Sequence, residues 1–105
     1  MEEDKIKQRA IRIFEEAYRL QMKGDLEEAA NLYTKSIDCY PTAEAHTFLG
    51  WTYSFMGRVD DAISECHKAI HVDPSFGNPY NDIGAYLLQK GEVDEAISWF
   101  ELALQ

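Results

Sequence analysis

The side chains with most chemistry to offer lie in the stretch ECHKAIH, where Cys66 adjoins His67 and His71 follows four residues later. Two imidazoles at that spacing on a helix can share a metal ion, and a thiol beside an imidazole can become a nucleophile. The surroundings support neither. There is no HExxH and no third ligand at useful spacing, so His67 and His71 read as partly exposed polar residues on an outer helix face. Successive residues on a helix point about 100° apart, so Cys66 and His67 do not face each other. Cys66 reads as a small buried hydrophobe. The chain also has no Gly-rich phosphate loop and no Ser-His-Asp or paired-carboxylate arrangement in a recognisable context. The acids Asp60 and Asp61 fit a helix start. The chain reads as non-catalytic, without cofactor or metal.

At 105 residues the chain is long enough for one continuous core and too short for two. A 46% share of hydrophobic residues marks a folded protein rather than a disordered tail. The formal charge of -9 opposes nucleic acid and anionic lipid at long range, so neither is an expected partner. No apolar run approaches the roughly 18 residues of a membrane span, and the charged start MEEDKIKQRAIRIFEEAYRL has no signal-peptide core. Cys39 and Cys66, without CxxC spacing, read as reduced thiols, and the chain as cytoplasmic.

What must position any site is a repeat. The stretches GDLEEAANLYTKSI, GRVDDAISECHKAI and GEVDEAISWFELAL begin at Gly24, Gly57 and Gly91, spaced by 33 and 34 residues. Five residues after each Gly stands Ala29, Ala62 or Ala96, and seven before it Ala17, Gly50 or Gly84. Small residues facing each other across two helices let the backbones close into an antiparallel hairpin. Larger residues recur around that contact at helical spacing. These are Leu20, Tyr53 and Leu87; Leu26, Val59 and Val93; Tyr33, Cys66 and Phe100; and Ile37, Ile70 and Leu104. Pro41 and Pro74, each 17 residues after its Gly, end the second helices. Helices are predicted over 2–22, 25–38, 43–55, 59–71, 77–89 and 93–104.

The chain resembles the tetratricopeptide repeat family. The middle repeat carries the likeness best, through Leu49-Gly50, Tyr53, Gly57, Ala62, Ala69 and Pro74. The third carries Tyr80, Ile83-Gly84, Gly91, Ala96, Phe100 and Ala103. The first is weaker, with Glu16 where Leu is usual; with no helix before it to pack on, that Glu can stay solvated. The resemblance implies an all-α, right-handed superhelical stack of three helix-turn-helix hairpins. Residues 1–105 form one domain, with repeats at about 10–42, 43–76 and 77–105 and an extension of the first helix over 1–9. It implies a protein-protein interaction scaffold. A structural or self-associating module is the alternative.

In this family the first helix of each hairpin lines a concave, peptide-binding face. Mapped here, the lining is Ile11, Phe14, Tyr18 and Gln21, then Glu44, Thr47, Phe48, Trp51 and Ser54, then Asn78, Asn81, Asp82, Ala85 and Leu88. Trp51 and Tyr18, each six residues before a hinge Gly, are expected on neighbouring helices facing one groove. Simple packing between helices is the other reading of Phe14, Tyr18 and Trp51. One branch of the family clamps the C-terminal carboxylate of chaperone tails with Lys, Asn and Arg. The matching positions here are Phe14 and Tyr18, Phe48, and Asn78 and Asp82. On those five positions a chaperone-tail binder is not expected, and an apolar or basic segment is.

No capping helix follows the sixth helix. Val93, Trp99, Phe100 and Ala103 are therefore expected to lie open, covered either by a continuing array in a longer repeat protein or by a second copy in a homodimer.

Overall fold

Leu20, Tyr53 and Leu87 each offer a carbonyl to the amide five residues on, and that bond closes a helix. The amides of Asp25, Arg58 and Glu92 donate to them at 3.0, 2.9 and 2.9 Å. The turn requires a left-handed residue inside it, supplied by Gly24, Gly57 and Gly91 at φ 88, 80 and 82°. A Cβ at Gly57 would meet nothing within 4 Å, so the demand there is purely on the dihedral. Gly57→Ala is therefore expected to lower stability by about 1–2 kcal/mol in a urea titration while leaving helix content unchanged.

A computed structural model describes residues 1–105. Six helices follow in order: α1 (Glu2–Lys23), α2 (Leu26–Cys39), α3 (Ala43–Phe55), α4 (Val59–Val72), α5 (Asn78–Gln89) and α6 (Val93–Ala103). They pair as hairpins α1–α2, α3–α4 and α5–α6, and α2 packs on α3 as α4 does on α5. A helix is about 10 Å across. The extents of 46 × 29 × 17 Å thus describe a superhelical stack two helices deep. Tyr40 and Asp73, just before the two prolines, are extended and end α2 and α4. Thr42 restarts the chain by accepting the Ala45 amide at 3.1 Å as the cap of α3. No helix is long and apolar enough to cross a membrane.

Ala17, Ala29, Ala62 and Ala96 are wholly buried where the hairpins close. A Cβ at Gly50 would stand 3.0 Å from the Ala62 carbonyl oxygen. At Gly84 it would meet the Phe100 ring at 2.6 Å, so an aromatic edge fills the closest approach of the third hairpin. Cys66 is buried, and burial pushes its thiol up to about 12, which leaves it un-ionised near neutrality.

Two expectations need correction here. Trp99 and Phe100 are half-buried rather than open. Trp99 lies against His67 and Tyr80, at ring distances of 5.4 and 6.1 Å, and Phe100 lies over Gly84. The open apolar residues of α6 are Val93, Ile97 and Leu102, followed by Leu104 just past its end, with Ala103 half-buried. The register explains part of this. Leu26, Val59, Ile37 and Ile70 occupy the same repeat positions as Val93 and Leu104 but are partly covered by the next hairpin. Gln21, placed in the groove by the sequence, is buried instead and accepts a hydrogen bond of 2.6 Å from the Tyr33 hydroxyl.

The hairpin α3–α4 also contains a polar link that sequence reasoning missed. His46 Nδ1 lies 2.8 Å from Glu65 Oε1, with both residues buried, and Lys68 reaches Glu65 Oε2 from outside at 3.0 Å. Glu16, in contrast, is exposed and pairs with Arg19 one turn away, as a first helix with nothing behind it permits.

Candidate functional site

The inner helices α1, α3 and α5 run side by side, and Phe48 of α3 stands at the middle of the face they share. Its ring lies 5.2 Å from Phe14, 5.8 Å from Tyr18, 6.1 Å from Tyr33 and 5.9 Å from Trp51. Trp51 continues the row to Phe55 at 5.3 Å. Tyr18 and Trp51 therefore belong to one aromatic row and meet through Phe48. Tilted and edge-on rings at such distances attract one another beyond simple area burial, which holds the row in place across two helices.

Phe48 divides the face into two chambers. The first, about 500 Å³, is walled by Ile11, Phe14 and Phe48, with Lys7, Glu15, Ser36, Tyr40, Thr42 and Glu44 around it. Its exposed surface is largely apolar, with Ile11 about half exposed. The second, about 220 Å³, lies between α3 and α5 and is lined by Thr47, Phe48, Trp51, Asn78, Asn81 and Asp82. One chamber offers apolar walls and the other polar groups, and such a combination suits an extended peptide, which presents both side chains and amides.

The chemistry of the lining residues differs. Thr47 is buried, and its hydroxyl already donates to the Ala43 carbonyl at 2.8 Å. Ser54 lines neither chamber, and its hydroxyl donates to the Trp51 carbonyl at 2.7 Å. Ala85 and Leu88 are exposed on α5 beyond both chambers. Asn78 and Asn81 are exposed and free to bond a ligand. Burial pushes the Asp82 carboxyl above its ordinary range. The structure brings together Ile11, Phe14 and Glu44 in one chamber and Thr47, Trp51, Asn78, Asn81 and Asp82 in the other. Lys7 and Tyr40 are additions that sequence spacing did not reveal, and the Lys7 ammonium sits 5.2 Å from the Tyr40 ring centre.

The model of the tetratricopeptide repeat matches residues 43–76 and 78–105. The chain belongs to the tetratricopeptide repeat family. As such it is an interaction scaffold.

Among curated relatives, this tetratricopeptide chain is 34% identical over 79 residues to the protein SGT1 homolog of Oryza sativa subsp. japonica, covering 74% of this chain and 22% of that protein. It is 29% identical over 83 residues to heat shock protein STI1 of Saccharomyces cerevisiae, covering 77% and 14%. The chain thus spans less than a quarter of either relative. Among solved structures it is similar to the second TPR of Spaghetti (RPAP3) bound to the HSP90 peptide SRMEEVD. There the TM-score is 0.89, with 25% identity over 99% of this chain and 97% of that one.

That neighbour, with an HSP90 tail bound, overturns the expectation that this chain is not a chaperone-tail binder. The exclusion treated five side-chain positions as the whole of recognition. A tail also presents backbone amides and apolar side chains, and the cation at Lys7 lies outside those five positions.

Proposed function

We propose that the concave face captures an extended peptide segment of a protein partner, and that C-terminal tails of the HSP90 kind are the segments it takes. The observation that carries this reading is the pair of chambers divided by Phe48, one apolar with Lys7 at its rim and one polar with free Asn side chains. In this arrangement Ile11, Phe14 and Phe48 seat an apolar side chain of the segment. Asn78 and Asn81 bond its backbone, and Lys7 draws a carboxylate. Trp51 and Tyr18 flank the path as aromatic anchors. Residues 10–42 serve as a third repeat ahead of the two that match the family model, and they supply the wall of the first chamber. A cytoplasmic setting accords with such a partner and with two unpaired cysteines.

Calorimetric titration with SRMEEVD, its C-terminal amide and a scrambled peptide tests this directly. The expected order of affinity is the free-acid peptide, then its amide, then the scrambled control, with Kd for the first in the micromolar range that small, shallow grooves reach. Equal affinity for SRMEEVD and the scrambled peptide would sink the reading.

A further inference from the structure

We infer that the chamber between α3 and α5 is a subsite for one cationic side chain, an arginine or lysine, of the bound segment. The inference rests on the groove reading and deepens it by giving the polar chamber a specificity of its own.

Asp82 is the ground for it. On the neighbouring helix α4 three acids each have a cation beside them: Asp60 meets Lys90 at 2.7 Å, Asp61 meets Arg58 at 2.8 Å and Glu65 meets Lys68 at 3.0 Å. Asp82 has no ion-pair or hydrogen-bond partner, although it is only partly exposed. Its oxygens are not sealed off either, because the one enclosed side-chain polar atom without a partner is Gln21 Nε2. A carboxylate that is partly desolvated, unpaired and open to a chamber destabilises the fold unless something in that chamber answers it. No basic residue lines the space. Trp51 and Phe48 are among its walls, and aromatic rings beside a carboxylate favour a guanidinium or ammonium over a neutral group. The side-chain carbonyls of Asn78 and Asn81 offer further acceptors for its N–H groups. The other chamber holds Lys7 together with Glu15 and Glu44, so carboxylates outnumber cations on both sides of Phe48. SRMEEVD carries one cation, its arginine, that the chamber at Asp82 can take.

The test is a cycle of affinities in the full chain, pairing wild type and Asp82→Asn with SRMEEVD and the same peptide carrying citrulline for arginine. Citrulline keeps the shape and removes the charge. In wild type the citrulline peptide is expected to bind about tenfold more weakly, the scale of one charge-assisted hydrogen bond. In Asp82→Asn the two peptides are expected to agree within twofold. Equal losses in both proteins would overturn the subsite. Acetyl-arginine amide, followed by the NMR shift of the Trp51 indole N–H, probes the chamber without a tail. Shifts seen in wild type, absent with acetyl-citrulline amide and absent in Asp82→Asn, support the subsite even if SRMEEVD fails to bind, in which case only the tail reading falls. Identical shifts with both amides reject it. Thermal melting supplies a further readout, since removing an unanswered charge raises the Tm of Asp82→Asn at neutral pH, whereas a structural role would lower it.

Discussion

Glu65→Ala lowers the unfolding free energy by about 3 kcal/mol at neutral pH, the scale expected when one partner is removed from a buried pair. His46 and Glu65 are 8% and 7% exposed, so each shields the other from a solvent that cannot replace it. Whether neutral with its proton on Nδ1 or fully protonated, His46 donates to the carboxylate across 2.8 Å. Truncating Glu65 leaves that buried donor with no acceptor. Burial alone would push the Glu65 carboxyl up, but the bonds from His46 and Lys68 outweigh it and hold it below its ordinary value of 4.5. A depressed carboxyl stabilises the fold above its ordinary value, and that contribution disappears as pH falls through the depressed one. The difference between wild type and Glu65→Ala in urea titrations should therefore narrow below about pH 4.5. A difference that stays constant down to pH 3 would rule out the charged pair as its source. Lys68→Met, removing the exposed outer partner, should cost under about 1 kcal/mol.

The hairpins could be read from the sequence because their signals are local. A left-handed Gly, a Pro after each second helix and small residues at the crossing are properties of a few neighbouring residues, and they placed every helix to within a residue or so of its observed bounds. The His46–Glu65 link could not be read in that way. Its two residues are separated by 19 positions, and neither departs from what an exposed helix would carry. Only the stacking of α3 on α4 turns them toward each other.

The candidate groove came from the family resemblance, mapped onto the repeats. That mapping put Phe14, Phe48, Trp51 and Asp82 on the first helices of the hairpins, because repeat position determines the face of a helix. It gave no weight to Phe48 over Trp51, since which ring meets its neighbours depends on the angle between hairpins. Lys7 and Tyr40 come from the helical extension before the first repeat and the turn before α3, and no periodicity links them. The exclusion of chaperone tails failed for a related reason. It compared side chains at fixed positions, while the shape of the face and the cation at its rim arise only when the hairpins stack.

Phe48→Ala should weaken SRMEEVD binding by about 30-fold or more, the loss of 2 kcal/mol that marks an interface anchor. The ring borders both chambers, so its removal merges them and takes away a wall from each. It also releases Phe14, Tyr18 and Trp51, whose positions depend on contact with it. Some stability goes with it, about 2 kcal/mol for a half-buried ring, less than full burial would imply. Two companions separate binding from folding. Phe48→Leu keeps apolar volume and most of the stability but loses the ring contacts, so its affinity should fall between wild type and Phe48→Ala. Trp51→Ala affects the second chamber alone, and its loss should be smaller, on the order of fivefold. Circular dichroism at the titration temperature establishes that each variant is folded. A folded Phe48→Ala that binds SRMEEVD as wild type does would place the tail somewhere other than this groove.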